Sequence, residues 1–595
     1  METRSYLKHW GAEYVATDTV RFRLWATGQT TVKLRIAGKE TDMQPAGDGW
    51  FEQQVSGVLP GAEYQFVLAD GMTVPDPASR AQRDDVDGPS LVVDPTAYVW
   101  QNTQWSGRRW EETVVYELHI GTFTPQGTFR AAAEKLPYLA ELGITMIEVL
   151  PVAQFGGQRG WGYDGVLLYA PHAAYGTPDE FKAFIDAAHG YGISVVLDIV
   201  LNHFGPQGNY LPLLSPDFFH PERMTPWGAG IAHDVGAVRH YIAEAPLYWL
   251  QEFNLDGLRF DAIDQIEDPT DPHILIEIAQ RIRAELPERP IHLTTEDCRN
   301  VIFLHPRDAD GSAPLFNGEW NDDFHNAVHV LATGETHAYY QDFADRPEKG
   351  VARALTEGFV YQGEVAVQSG EARGVDSRGQ PPAAFVDFIQ NHDQVGNRAQ
   401  GDRLITLIGA ERNKVLLATL LLSPHIPLLL MGEEYGETNP FLFFTDFHGD
   451  LARAVREGRA REFEGHAGHE GEVVPDPNAE TTFTRSKLDW HKPDSQEGNA
   501  WLALTRQLLA LRQRYIVPLL ATAGGHAGQV LKTAPGFVAV SWTFPRGQLS
   551  IALNIGAATQ PLPALPGNTI FAWPTDTQDL PQHAIVVRLL SGEEK

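Results

Sequence analysis

In LDGLRFDAID, residues 255–264, the run Leu258–Arg259–Phe260 alternates apolar and charged side chains and leads straight into Asp261. Positions two apart on a strand share a face, so Arg259 and Asp261 point one way while Leu258 and Phe260 point the other. A guanidinium beside a carboxylate favours the ionised form. Two readings of the pair stand open at this point: a nucleophile held as an anion, or a structural ion pair.

The segments around it share one rhythm. Apolar strands VVYELHI (114–120), ITMIEVLP (144–151) and ISVVLDIV (193–200) precede it. IHLTTE (291–296), LFNGEW (315–320), AFVDFIQN (384–391) and IPLLLMG (426–432) follow. Amphipathic helical runs such as PDEFKAFIDAAHGYG and HILIEIAQRIRAEL separate them. Alternating units with fully apolar strands predict a parallel sheet covered by helices, and eight of them predict a (β/α)8 barrel. The sixth strand, LFNGEW, is blurred by insertions around 300–380.

Short alternating runs (TVRFRLWA, TVKLRIAG, AEYQFVLAD) precede the barrel, and GFVAVSWTF, QLSIALNI, TIFAW and AIVVRLL follow it. The expected organisation is therefore a multidomain α/β protein: an N-terminal β-sandwich over 1–105, the catalytic barrel with insertions over 106–520 and a C-terminal β-sandwich over 521–595. Residues 455–482, rich in Glu, Gly, Arg and Pro, read as a long loop or insertion.

Composition narrows the partners. The net charge of −31 repels phosphate backbones and anionic lipid, so neither nucleic acid nor membrane is an expected partner, and a neutral substrate fits better. The most apolar segment, VLLATLLLSPHIPLLLMG (415–432), is interrupted by Ser423-Pro424-His425-Ile426-Pro427, which predicts a buried helix, a turn and a buried strand. The single cysteine, Cys298, excludes an intrachain disulfide, and METRSYLKHW has no apolar run. A cytoplasmic protein is expected; no oligomer is predicted.

In such barrels chemistry sits at the C-terminal ends of the strands. Here those ends carry Asp198, Asn202 and His203 (third), Arg259 and Asp261 (fourth), Glu296 (fifth) and Asn391, His392 and Asp393 (seventh). A purely structural rim has no reason to gather so many carboxylates and two histidines. Crowded like charges keep one carboxyl protonated, and a carboxyl protonated at neutral pH is a general acid. Two carboxyls with opposite tasks are what glycoside hydrolysis needs.

DIVLNH (198–203), GLRFDAID (257–264), TTED (294–297) and QNHDQVGN (390–397) resemble, in order, the four signature regions of the α-amylase family of glycoside hydrolases. The resemblance implies Asp261 as nucleophile, Glu296 as acid/base and Asp393 as transition-state stabiliser, with Arg259 holding Asp261 ionised. It further implies sugar contacts from His203 and His392, an aromatic platform at Tyr163 in GWGYDG (160–165), and neighbouring contacts from Trp161, Asp264, Gln394 and Asn397.

Outside these motifs, PDPASRAQRDDVDGPSLVVDP (75–95), WNDDFHNAVH (320–329), MGEEYGETNPFLFFTDFH (431–448) and SKLDW (486–490) resemble the maltooligosyltrehalose trehalohydrolase group of that family. This implies hydrolysis of the α-1,4 bond next to a terminal trehalose, maltooligosyltrehalose and related α-glucans as substrates, and Asp322, Asp323 and His325 near the trehalose end. Asn-Asp-Asp at 321–323 is equally good helix N-cap chemistry. Branching enzyme is the nearest rival, and a non-catalytic glucan-binding relative a more distant one. Asn202 matches a calcium-ligand position of many amylases, but the loop from 204 to 235 offers few clustered acids, so neither a metal nor any other cofactor is expected.

Overall fold

Gly257 opens the strand that carries Arg259 because no side chain fits there: a Cβ would lie 2.0 Å from the His292 carbonyl oxygen on the next strand. The computed structural model describes residues 4–463 and 473–592. Within it, eight parallel strands close into a barrel in chain order: β1 (Val115–Leu118), β2 (Met146–Val149), β3 (Ser194–Ile199), β4 (Gly257–Phe260), β5 (His292–Thr295), β6 (Gly318–Trp320), β7 (Phe385–Asp387) and β8 (Ile426–Leu430). LFNGEW does supply the sixth strand, shortened to three residues. Asp198 sits opposite Arg259, and Arg259 opposite Thr294, in adjacent registers, which brings the polar strand ends to one rim.

Helices cover the outside. Helix α1 (Pro178–Gly190) starts with a reciprocal cap: Thr177 Oγ1 accepts from the Glu180 N–H and the Glu180 carboxylate accepts from the Thr177 N–H. Helix α2 (Asp322–Thr333) is capped by Asn321, whose side chain accepts from Phe324 N–H. Helix α3 (Ala410–Leu422) and β8 account for the long apolar segment, separated at Ser423–His425 as expected. Among the described residues no helix is long and apolar enough to cross a membrane.

Two N-terminal sheets precede the barrel and share a core in which Val20, Phe22 and Leu24 alternate inward from one strand onto Leu34, Tyr64 and Phe66. A buried charge cluster ties them to the barrel: Arg80 bonds Glu13 at 2.8 Å and approaches Glu252 of the barrel's helical layer at 3.2 Å, while Lys8 holds Glu13 at 3.0 Å. After the barrel comes a five-stranded antiparallel sheet, from Gly528–Ala534 to Ala584–Ser591, with a small two-stranded sheet beside it.

One element departs from the sequence reading. Most of the described part of 455–482 is not loop: helix α4 (Gly449–Phe463) runs into it and a short helix, Glu480–Arg485, closes it. Residues 464–472 lie outside the described residues. Helix α4 has no apolar stripe to read. It is laced instead by charged pairs one turn apart, Asp450–Arg453, Glu457–Arg461 and Arg459–Glu462, which support a solvent-facing helix without a hydrophobic face.

Candidate active site

The rim is organised around a single guanidinium. Arg259 Nη1 donates to both oxygens of Asp198, at 3.0 and 2.9 Å, and to Asp261 Oδ1 at 2.6 Å; Nη2 lies 3.5 Å from Glu296 Oε2. The guanidinium also stacks over Trp320, 4.2 Å from the ring centroid. Asp198, at the end of the third strand, accepts two of these bonds, and it accepts from the Tyr163 hydroxyl at 2.6 Å as well. Burial pushes Asp198 up to about 7 against the pull of Arg259.

Backbone strain completes the placement of Glu296. Ala262, immediately after Asp261, is held left-handed at φ 42°, a costly conformation for a residue with a side chain. That twist turns its N–H onto Glu296 Oε2 at 2.8 Å. Burial, reinforced by the charges of Asp261 and Asp322, holds the Glu296 carboxyl well above its ordinary range despite Arg259. A carboxyl raised in this way has the property that general acid catalysis requires.

Asp393 follows β7 on a short helical turn capped by Asn391. Its Oδ1 accepts from Asn397 Nδ2 at 2.7 Å. Burial raises Asp393, with His392 opposing. Asp322 faces it across the site; burial and the Asp393 charge push Asp322 up to about 7. Glu296, Asp322, Asp393, Gln394 and Asn397 line one cleft of ≈ 600 Å³, whose far side is formed by Tyr339 and Arg398 among others. Gln394 bridges the two walls: its Oε1 accepts from the Tyr339 hydroxyl at 2.9 Å and its Nε2 approaches Asp322 at 3.4 Å.

The histidines separate into three kinds. His392 donates Nδ1–H to Glu117 at 2.5 Å, and its Nε2 has no partner among the described residues. Tyr163 stacks on it, with centroids 5.2 Å apart at 17°. His203 has both nitrogens against protein acceptors, Asn202 Oδ1 and the Tyr163 carbonyl, and Trp227 covers its face at 4.1 Å. His325 is buried behind the cleft: Nδ1 donates to the Ile389 carbonyl at 3.0 Å and Nε2 faces the Tyr340 hydroxyl at 3.2 Å. The expected sugar contact from His325 is therefore replaced by support of Tyr340.

Three other expected contacts are engaged by protein partners, Asp323 although it lines the same cleft. Asp323 uses Oδ2 on Asn300 Nδ2 and the N–H groups of Val360 and Tyr361, each at 2.8 Å, and Oδ1 on Arg373 at 2.9 Å, so its lone pairs serve the fold. Trp161 is buried beside His392, with Nε1 donating to the Leu442 carbonyl. Asp264 turns to Gln265 and the exposed Cys298. As for a metal, the Asn202 amide is taken up by Asp261 and His203, so the donor set does not fit a hard cation there. Among the described residues no group of three or more His, Cys, Asp or Glu side chains could hold one.

Glu117, Trp227, Tyr339 and Trp320 were not picked out by sequence. Only Glu117 carried a signal, as a lone carboxylate inside an apolar strand.

Comparison with known proteins agrees with this architecture. The alpha amylase catalytic-domain profile matches residues 83–212, and a domain of unknown function (DUF3459) matches residues 525–587. The chain is 43% identical over 522 residues to the malto-oligosyltrehalose trehalohydrolase of Deinococcus radiodurans, covering 86% of this chain and 84% of that one. The chain belongs to the malto-oligosyltrehalose trehalohydrolase family. By contrast, a 1,4-alpha-glucan branching enzyme of Streptomyces avermitilis is 35% identical over 272 residues, 41% of this chain and 45% of its own. Among solved structures, one from Salmonella typhimurium, provisionally described as an alpha amylase, is 74% identical with TM-score 0.97, covering 98% of this chain and 100% of that one. A pullulanase of Paenibacillus barengoltzii in complex with maltohexaose and alpha-cyclodextrin shares the fold at 20% identity and TM-score 0.72, covering 99% of this chain and 96% of that one. A family member with this rim is a glycoside hydrolase.

Proposed function

We propose that the protein hydrolyses, with retention, the α-1,4-glucosidic bond next to the terminal trehalose of maltooligosyltrehalose and releases trehalose. What carries this reading is the match to the Deinococcus radiodurans enzyme over most of both chains, where the branching-enzyme match spans less than half of each. In the proposed cycle, Glu296 gives its proton to the glycosidic oxygen while Asp261 attacks the anomeric carbon. The C–O bond to trehalose breaks, trehalose leaves with that proton, and a glycosyl ester to Asp261 forms. Glu296, now ionised, takes a proton from water, which attacks the same carbon and frees Asp261. Asp393 stabilises the oxocarbenium character of both transition states, and His392 Nε2 is free to serve a hydroxyl of the ring under attack. Specificity falls to the cleft beyond Glu296, where Asp322, Gln394 and Tyr339 are linked. A wall built to hydrogen-bond the 1,1-linked second ring leaves polar groups unpaired when maltose occupies it.

The test is to incubate equal enzyme with maltotriosyltrehalose and with maltopentaose and follow products by chromatography. Maltotriosyltrehalose is expected to be cut much faster, giving trehalose and maltotriose, with the α-anomer of maltotriose appearing first by NMR. Equal rates, or new α-1,6 branches made from amylose, would overturn the substrate assignment. A β-anomer first would overturn retention.

A further inference from the structure

Strand β1 is apolar and buried along its length, yet it carries Glu117, which is fully buried. A carboxylate in that position is costly unless it is fully paired. It is paired, and to a single residue: Oε1 accepts from His392 Nδ1 at 2.5 Å and Oε2 accepts from the His392 backbone N–H at 3.0 Å. In register Glu117 lies beside Leu430 of β8, so its side chain reaches past the eighth strand to the loop after the seventh. The grip fixes the ring, commits Nδ1–H, and satisfies the first N–H of the turn that presents Asp393. The arrangement is a metal-free counterpart of that in ligating histidines, where a carboxylate on one ring nitrogen sets what the other nitrogen can do.

We infer that Glu117 is a positioning residue of the hydrolytic site, clamping His392 so that its Nε2 and the adjacent Asp393 are held in their working places. This rests on the reading of His392 and Asp393 as parts of the glycosidic site. The electrostatics run the same way. Burial alone would lower the imidazole, but the Glu117 charge and hydrogen bond outweigh it and keep His392 above the ordinary histidine value. The charged and titratable groups around that ring are Glu117 from β1, Asp198 from β3, Arg259 from β4, Asp393 on its own turn, Tyr163 stacked on its face and His119 just after β1. Of these only Glu117 bonds the ring directly. An imidazolium in turn lowers Asp393 and Asp198.

The experiment is steady-state kinetics of Glu117→Gln across pH, on whichever α-glucan the wild type hydrolyses, so that a wrong substrate assignment does not mask the outcome. The amide cannot accept both N–H groups. A catalytic group displaced by about 1 Å loses roughly 10²-fold, and a loss of that size is expected in kcat/KM, mostly in kcat. Without the Glu117 charge His392 gives up its proton at lower pH, so the alkaline limb of the profile should move down. In a His392→Ala background Glu117→Gln should cost little more. Glu117→Asp keeps the charge and shortens the reach: it should fold, retain the width of the profile and lose kcat. Wild-type kinetics and profile in Glu117→Gln, full additivity with His392→Ala, or wild-type kcat in Glu117→Asp would each overturn the inference.

Discussion

Replacing Arg259 by methionine removes the one cation shared by Asp198, Asp261 and Glu296 while keeping a side chain of similar length. It deletes ion pairs at 2.9, 2.6 and 3.5 Å. At an effective dielectric constant of about 20, unit charges about 3 Å apart attract by roughly 5 kcal/mol, so each pair is large in gross terms. Much of that offsets desolvation, because Arg259 and Asp198 are both almost completely buried. What survives when one partner of a buried pair is deleted is about 3–5 kcal/mol of destabilisation. The cost should be greatest at alkaline pH. Asp198 and Glu296, left behind, have raised values in the fold, so their neutral forms relieve the loss at low pH and their ionisation restores it as pH rises. For catalysis the consequence is a nucleophile without its counter-charge. About 4 kcal/mol taken from the transition state corresponds to roughly 10³-fold in kcat.

The assay pairs kcat between pH 5 and pH 9 with the apparent unfolding midpoint over the same range, the midpoint serving for comparison only, since a chain of several domains need not unfold in one step. Arg259→Lys is the control: a single ammonium nitrogen can stand in for Nη1 between Asp198 and Asp261 but supplies neither the second nitrogen near Glu296 nor the planar stack on Trp320, so it should recover stability better than turnover. If Arg259→Met kept kcat within tenfold of wild type, roughly 1.4 kcal/mol, at neutral pH, the idea that one guanidinium organises the three carboxylates would be refuted.

Two further substitutions separate chemistry from scaffold. Glu296→Gln should lower kcat by at least about 10³-fold, as loss of a general acid/base does, yet raise the unfolding midpoint at pH values above the ordinary Glu range and not below it. The raised Glu296 carboxyl contributes stability at low pH that is lost as pH climbs through its folded value, and the amide does not titrate. Asp323→Ala should do the reverse: with four hydrogen bonds to Asn300, Val360, Tyr361 and Arg373 removed, stability should fall by at least about 1–3 kcal/mol while kcat of the folded fraction stays near wild type. A loss of kcat without loss of stability would return Asp323 to the sugar-contacting set.

The barrel was legible because its strands are short, apolar on both faces and bounded by polar residues, a signature that survives insertions as long as those around residues 300–380. Helix α4 was not, since a helix held by charge pairs shows no apolar period, and its Glu, Gly and Arg content is that of a loop. At the site, strand position placed Asp261, Glu296 and Asp393 on one rim with Asp198, His203 and His392, and only the resemblance to the α-amylase family set those three apart. Neither was enough for the histidines. His203, His325 and His392 look alike in sequence, and what distinguishes them is where their ring nitrogens are spent: two against protein acceptors in His203 and His325, one in His392. Apart from Asn202, which adjoins His203, those partners come from β1, the loop around Tyr163, the β7 loop and the turn around Tyr340, far apart in the chain. The same applies to Asp322 and Asp323, adjacent at a helix start: the first residue of the turn faces the cleft, and the second is consumed by backbone N–H groups of a distant loop.

The general acid in this site is a property of the cluster more than of one residue. Glu117, Asp198, Asp261, Glu296, Asp322 and Asp393 converge on a rim where Arg259 and His392 are the cations in closest contact. A neutral glucan brings no charge to balance the excess. Negative charge beyond what two cations can offset favours proton uptake by the buried carboxyls, and Asp198, Glu296 and Asp322 are all raised. Glu296 meets Arg259 only at 3.5 Å, where Asp261 has it at 2.6 Å and Asp198 at 2.9 Å. Burial and the charges of Asp261 and Asp322 therefore outweigh this weaker hold and keep Glu296 well above the ordinary carboxyl range. In the proposed cycle the raised carboxyl, Glu296, is the one that holds the proton the leaving oxygen needs.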